Sequence, residues 1–169
     1  MIEFILNSSI DRKYINMRAV LQRVSKADIT INHAETRSIG EGLVVFLGVM
    51  EGDTKENAQY LAKKICDLRI FTDENDKLNL SLKDIGGDIL IVSNFTLSAD
   101  CRHGRRPSFE RAAKGDTAKS MYEYFVSLVK ADSGIKNVQT GEFGAHMDIM
   151  QSNNGPITII MDTDNIAKH

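Results

Sequence analysis

The segment Arg102-His103-Gly104-Arg105-Arg106-Pro107-Ser108-Phe109-Glu110-Arg111-Ala112-Ala113-Lys114 carries five Lys or Arg against one Glu, a local charge of +4 in a chain whose formal total is -2. Clustered cations of this kind neutralise phosphates, so the stretch is either a solvated loop or the contact for a phosphate-bearing partner, and composition leaves both open. Cys101 adjoins these cations, which lower a thiol pKa and make the sulfur nucleophilic. No base or orienting partner for it can be named from the sequence. His33, His103, His146 and His169 fall in separate segments without metal-ligand spacing, so no metal and no other cofactor is expected. The acidic run Thr72-Asp73-Glu74-Asn75-Asp76 lacks the Gly and terminal Glu of a calcium loop and reads as a solvated turn. No G-x-S-x-G, Walker loop or G-x-G-x-x-G occurs, which removes the hydrolase-elbow, P-loop and dinucleotide readings.

Any such chemistry must be positioned by a scaffold, and 169 residues with 42% apolar and 26% charged content suit one globular domain with its own core. Two well-separated cysteines argue for a reducing cytoplasm. The longest apolar stretches, 42–50 and 89–92, are far short of the ~18 to 20 residues that span a bilayer, so no membrane partner is expected. Residues 1–16 have Glu3 where a signal peptide wants positive charge, and they read as an appendage before a second methionine, Met17. Strand-like patterns cover Met17 to Val24, Ala27 to Ile31 and Leu43 to Val49, so the first third reads as mostly β.

The spacing then predicts a helix over about 54–66, with Asp53 as N-cap and Ala58, Leu61, Ala62 and Ile65 buried. Asp88 to Leu97 is a β-branched run without a polar face, hence a central strand, and it ends in the polar groups Ser93, Asn94 and Thr96. A second helix, about 117–130, is capped by Asp116 and buries Ala118, Met121, Phe125, Leu128 and Val129. Asp148 to Gln151 and Ile157 to Met161 read as strands separated by a turn at Ser152-Asn153-Asn154-Gly155-Pro156.

Ser93-Asn94-Phe95-Thr96-Leu97 and Asn153-Asn154-Gly155-Pro156-Ile157-Thr158 together resemble the two signature motifs of the D-aminoacyl-tRNA deacylases, S-Q-F-T-L and N-x-G-P-V-T. Further matches are Met17 to Val24, Arg69-Ile70-Phe71, Arg106 to Phe109, and Gln139 to Met147, in order and spacing, over residues 17–161. The chain departs from the family at Asn94, usually Gln, and Ile157, usually Val. The amide at position 94 is thereby one methylene shorter, and any hydrogen bond made by the family's Gln side chain is in question, whereas a backbone role survives.

The resemblance implies one α/β domain of layered mixed and antiparallel sheets with two main helices, an extension at 1–16, a tail at 162–169, and a homodimer. It implies a cytoplasmic hydrolase that cleaves the ester of D-aminoacyl-tRNA, and of glycyl-tRNA mischarged on tRNA(Ala), without metal or cofactor. Ser93, Asn94, Phe95 and Thr96 map to the catalytic motif. Backbone N–H groups around Phe95 and Thr96 would hold the tetrahedral oxyanion, with help from the substrate's own ribose 2′-hydroxyl, unless Thr96 itself is the nucleophile. Gly155 and Pro156, joined by a cis peptide, would reach into the partner subunit's pocket as a chiral filter, with Thr158, Arg23, Phe143 and Met147 holding that wall or lining the pocket. Arg102, Arg105 and Arg106 would contact tRNA. The alternative from another class is a noncatalytic RNA-binding module that uses only the 102–114 patch.

Overall fold

The structure is a computed structural model that describes residues 17–163; the expected 1–16 extension, and the tail from 164 onward with His169, lie outside the described residues. Among the described residues the order is β1 (Arg18–Ile31), β2 (Glu35–Ile39), β3 (Gly42–Gly48), α1 (Lys55–Asp67), β4 (Phe71–Thr72), β5 (Leu78–Leu80), β6 (Asp88–Ser93), α2 (Gly115–Ala131), β7 (Asn137–Thr140) and β8 (Met147–Asp162). A short 3-10 turn, Phe95–Ser98, follows β6.

β1 organises the sheet. One edge pairs along its whole length with β8, and the other pairs with β3 near its start and β2 near its end, all antiparallel. β6 and β7 continue beyond β3 as parallel strands, giving a mixed sheet. β2 touches β6 and β7, and Arg37 on β2 donates to the Thr140 carbonyl at 2.6 Å, so the sheet curls toward closure. The separate β4–β5 hairpin is turned by Asp73, whose carboxylate accepts from the N–H groups of Asn75 and Lys77 and is thereby held below its ordinary pKa.

Both faces of β3 and β6 are buried, as the unbroken β-branched run requires. Leu43, Val45, Leu47, Ile89 and Ile91 pack against α1 and α2, while Val44, Leu90 and Val92 meet Val24, Ile29, Ile31 and Ile39 on the other side. No helix among the described residues is long and apolar enough to cross a membrane.

The structure corrects several expected boundaries. The two strands read at 17–24 and 27–31 are one strand, and β2 and β7, short and half-exposed, had no pattern strong enough to announce them. Helix α1 is capped by Thr54 with Asn57 in a reciprocal box, because the Asp53 carboxylate turns inward to accept the Met50 N–H at 2.7 Å. Helix α2 starts at Gly115 without a side-chain cap, and Asp116 sits in its first turn; Tyr122 and Val126 complete the buried stripe, with Met121 and Leu128 at its margin. β6 stops at Ser93 rather than at 97. Residues 152–156 form no turn between strands: β8 runs through them.

Candidate active site

β6 ends when Asn94 leaves the ladder. Its N–H still donates to the Leu47 carbonyl at 2.8 Å, while its side-chain Oδ1 accepts the Thr96 N–H at 3.0 Å and the Thr96 hydroxyl proton, capping the 3-10 turn. An amide oxygen is no general base, so the Thr96 hydroxyl has no activating partner in this arrangement. The capture also removes one of the two expected oxyanion donors. The Thr96 N–H is taken, and among the described residues the Phe95 N–H has no acceptor. Leu97 fits against Gly48 of β3, and its carbonyl accepts from the Arg18 guanidinium at 3.1 Å, which holds the turn against the start of β1. Ser93 lies half-buried opposite Leu47 in the β3–β6 register.

The Phe95 ring is 56% exposed and meets Phe109 edge to face, with centroids 5.1 Å apart and planes at 72°. Phe109 follows the basic loop, whose base is closed by a reciprocal backbone pair between Asp100 and Ser108 at 2.8 and 2.9 Å. The ring contact therefore seats the cationic segment beside the Phe95-Thr96 turn, a proximity that spacing alone did not show. Arg102 is folded back onto Asp100, whose carboxyl its guanidinium holds well below the usual range. Arg105 and Arg106 are exposed with no carboxylate partner among the described residues. Cys101 is exposed and hydrogen-bonded to no base among the described residues, whereas burial pushes the Cys66 thiol up to about 12.

The Gly155-Pro156 segment is a wide bulge. Gln22 pairs with Thr158 but Val24 pairs with Asn153, so two steps along β1 face five along β8 and three extra residues are thrown out of the ladder. The peptide between Gly155 and Pro156 is cis. Gly155 has φ +136°, and a Cβ there would lie 2.7 Å from the Ile157 nitrogen, so glycine alone fits. Arg23, only 8% exposed, braces the bulge: its Nε donates to the Asn154 carbonyl at 3.0 Å, Nη2 to the Asn154 side-chain oxygen at 3.4 Å, and Nη1 to the Ile70 carbonyl at 2.9 Å and Thr72 Oγ1 at 3.2 Å. Thr158 accepts from the Gln22 amide at 3.3 Å, and Gln22 accepts in turn from Gln151 at 2.7 Å.

Phe143 and Met147 lie elsewhere, Met147 against Gly141 and Ile29, Phe143 on the helix side of the sheet. The Met147 sulfur occupies the place a Gly141 Cβ would take, and the Phe143 ring stands 6.2 Å from that of Tyr122. Within one chain the expected site residues thus form two groups, the Phe95-Thr96 turn with its basic loop and the Arg23-braced bulge, while Phe143 and Met147 pack against opposite sides of the sheet. Sequence reasoning missed Arg18, Gln22, Gln151 and Phe109 as supports; each acts through a partner more than ten positions away, and no local pattern signals it. It also treated the histidines as scattered, yet the fold brings His33 and His146 together with Asp148.

A family model described as D-Tyr-tRNA(Tyr) deacylase matches residues 20–162. A D-aminoacyl-tRNA deacylase of Thermosipho melanesiensis is 51% identical over 150 residues, covering 89% of this chain and 99% of that protein. One from Clostridium botulinum is 52% identical over 147 residues, covering 87% and 97% respectively. Among solved structures, a c-Myc DNA unwinding element binding protein superposes with TM-score 0.79 at 34% identity, covering 85% of this chain and 97% of its own. A probable eukaryotic D-amino acid tRNA deacylase has the same fold, with TM-score 0.75 at 20% identity over 87% of this chain and 99% of that one.

Proposed function

The chain belongs to the D-Tyr-tRNA(Tyr) deacylase family and is an aminoacyl-tRNA ester hydrolase, and from this we propose that it cleaves D-aminoacyl-tRNA to free D-amino acid and tRNA in the cytoplasm, through its 17–161 domain. The observation that carries the mechanism is the Phe95 N–H, which has no acceptor among the described residues while Asn94 occupies both the N–H and the hydroxyl of Thr96. An aminoacyl ester is already activated, so orientation plus one preorganised donor to the tetrahedral oxyanion, worth roughly 2.7 to 4 kcal/mol, carries much of the rate. Thr96 then acts by position rather than as a nucleophile, and the proton traffic is assigned to the substrate's ribose 2′-hydroxyl. Ser93 and Asn94 set the turn. The exposed cations Arg105 and Arg106, with Arg102, take the tRNA phosphates.

The chiral filter is assigned to the Gly155-Pro156 bulge of a second copy, with Arg23 and Thr158 holding it and Phe143 and Met147 completing the pocket. Supporting this is the spacing inside one chain. Arg18, which holds the Thr96 turn, and Arg23, which holds the bulge, stand five residues apart on β1, about 16 Å, so a homodimer supplies what one chain keeps apart. Useful selectivity of ~10⁴ against the abundant L forms needs about 5.5 kcal/mol of discrimination. A clash with an L side chain reaches that, whereas added attraction for a D side chain does not. Glycine has no Cβ to reject, so glycyl-tRNA mischarged on tRNA(Ala) is a second substrate.

Steady-state release of amino acid from D-tyrosyl-, L-tyrosyl- and glycyl-tRNA tests the whole scheme. Expected are turnover of the D and glycyl esters, an inert L ester, and most of the activity retained in Thr96→Val. An inert glycyl ester beside rapid D-tyrosyl cleavage would refute rejection as the filter. Binding of tRNA without turnover would favour the noncatalytic RNA-binding module, and loss of turnover in Cys101→Ser would favour a thiol enzyme.

A further inference from the structure

At the far end of β1, thirteen residues from the Arg18 that holds the Thr96 turn, three metal-ligating side chains converge from segments over a hundred positions apart. His33 Nδ1 lies 3.2 Å from one carboxylate oxygen of Asp148, and His146 Nε2 lies 3.4 Å from the other. The two imidazole rings are 4.8 Å apart at 42°, and one ligand atom from each of the three residues falls within 4.8 Å of the others. Donors bound tetrahedrally at 2.0 to 2.2 Å from a metal sit roughly 3.4 Å from one another; each histidine has that spacing to its own oxygen of Asp148, and small side-chain rotations close the remaining gaps from within 4.8 Å.

The backbone under these side chains is built rather than accidental. The Asn32 N–H donates to the His146 carbonyl at 2.9 Å, the His146 N–H donates to the Asn32 side-chain oxygen at 3.2 Å, and Ile31 and Thr30 face Met147 and Asp148 in the β1–β8 ladder. The hairpin from β1 to β2 turns through Asn32 and His33 with φ of 49° and 58°, a geometry in which glycine is favoured at the second position. A histidine held there presents its ring at a conformational cost, which marks the position for something other than turning the chain.

We propose that His33, His146 and Asp148 bind one transition-metal dication of the Zn²⁺ class. Two imidazoles and one carboxylate suit Zn²⁺, Co²⁺, Ni²⁺ or Cu²⁺. Mg²⁺ and Ca²⁺ prefer all-oxygen sets, and Cu⁺ prefers sulfur. The side chains are 74%, 61% and 57% exposed, so water fills the remaining positions, and the site staples the β1–β2 turn to the loop before β8. The metal site does not depend on the proposed reaction.

Titration of the full chain with Co²⁺, followed by visible d–d absorption and displacement with Zn²⁺, tests the site in a Cys101→Ser background that removes the exposed thiol. The expected result is one equivalent per chain, with binding weakened in His33→Ala, in His146→Ala and in Asp148→Asn by at least the ~10-fold that even an outer-shell partner costs. Added Zn²⁺ should raise Tm in the parent and leave Tm unchanged in the His33→Ala, His146→Ala variant, while His103→Ala behaves as the parent. Metal-free unfolding of each variant controls for folding. Absence of saturable one-to-one binding, or binding unchanged in both histidine variants, overturns the assignment.

Discussion

Removal of the Arg23 guanidinium should release the bulge that carries Gly155 and Pro156. The side chain is 8% exposed and reaches three residues in two segments at once: Asn154, and Ile70 with Thr72. The Ile70 carbonyl is the more deeply placed acceptor, and losing a charged donor there costs about 1.5 to 3 kcal/mol. The Asn154 carbonyl is half-buried and can be rehydrated, so its loss adds only about 0.5 to 1.5 kcal/mol. Arg23→Ala is therefore expected to destabilise by roughly 2 to 4 kcal/mol, read as a shift of the urea midpoint at constant m and as a Tm lowered by about 6 to 12 °C. Arg23→Lys keeps a point charge that satisfies one carbonyl at a time and should lose about half as much. In the folded Lys variant the ratio of D-tyrosyl to L-tyrosyl ester hydrolysis should fall, because the bulge proposed as the filter is no longer braced. A loss below about 1 kcal/mol in Arg23→Ala, or an unaltered ratio in Arg23→Lys, would refute the bracing role.

Asn94→Ala deletes the acceptor for the Thr96 N–H and hydroxyl; the cap loss should cost about 1 kcal/mol, and kcat should fall with little change in KM. Gly155→Ala should destabilise the bulge by a few kcal/mol, since the new Cβ meets the Ile157 nitrogen at 2.7 Å, and equilibrium unfolding measures it. Charge removal in the double variant Arg105→Gln, Arg106→Gln should raise KM for aminoacyl-tRNA and lower the slope of log K against log salt by up to about 2, one per lost phosphate contact. Burial raises Asp53 from 3.8 to about 6, so its contribution to stability is fully present below pH 3.8 and is lost as pH rises through 6. Asp53→Asn should flatten the unfolding free energy between pH 4 and 6, and an unchanged slope in pH-dependent urea melts would contradict this.

Local chemistry made much of this molecule legible. The apolar stripe Ala58, Leu61, Ala62 and Ile65 could be buried only as a helix, and the run Ile89 to Val92 only as a strand covered on both faces; both stand where periodicity places them. The two motifs were likewise visible as strings, because their residue types are local facts. What they do together was not. The Ser152-to-Pro156 stretch has every composition cue of a turn, yet β8 continues through it because β1 supplies ladder partners on both sides, and the excess length goes into a bulge held by Arg23 from 131 positions away. Asn94, readable only as a shortened amide, becomes the cap that silences one N–H and leaves its neighbour open. The edge contact of Phe95 with Phe109, which seats the cationic loop, and the meeting of His33 with His146 arise the same way. Helix and strand periodicities are set by neighbours within a few residues, which a sequence records. Hydrogen-bond capture and ring contact are set by whichever chain segment the sheet's pairing brings alongside, and only the folded register decides that.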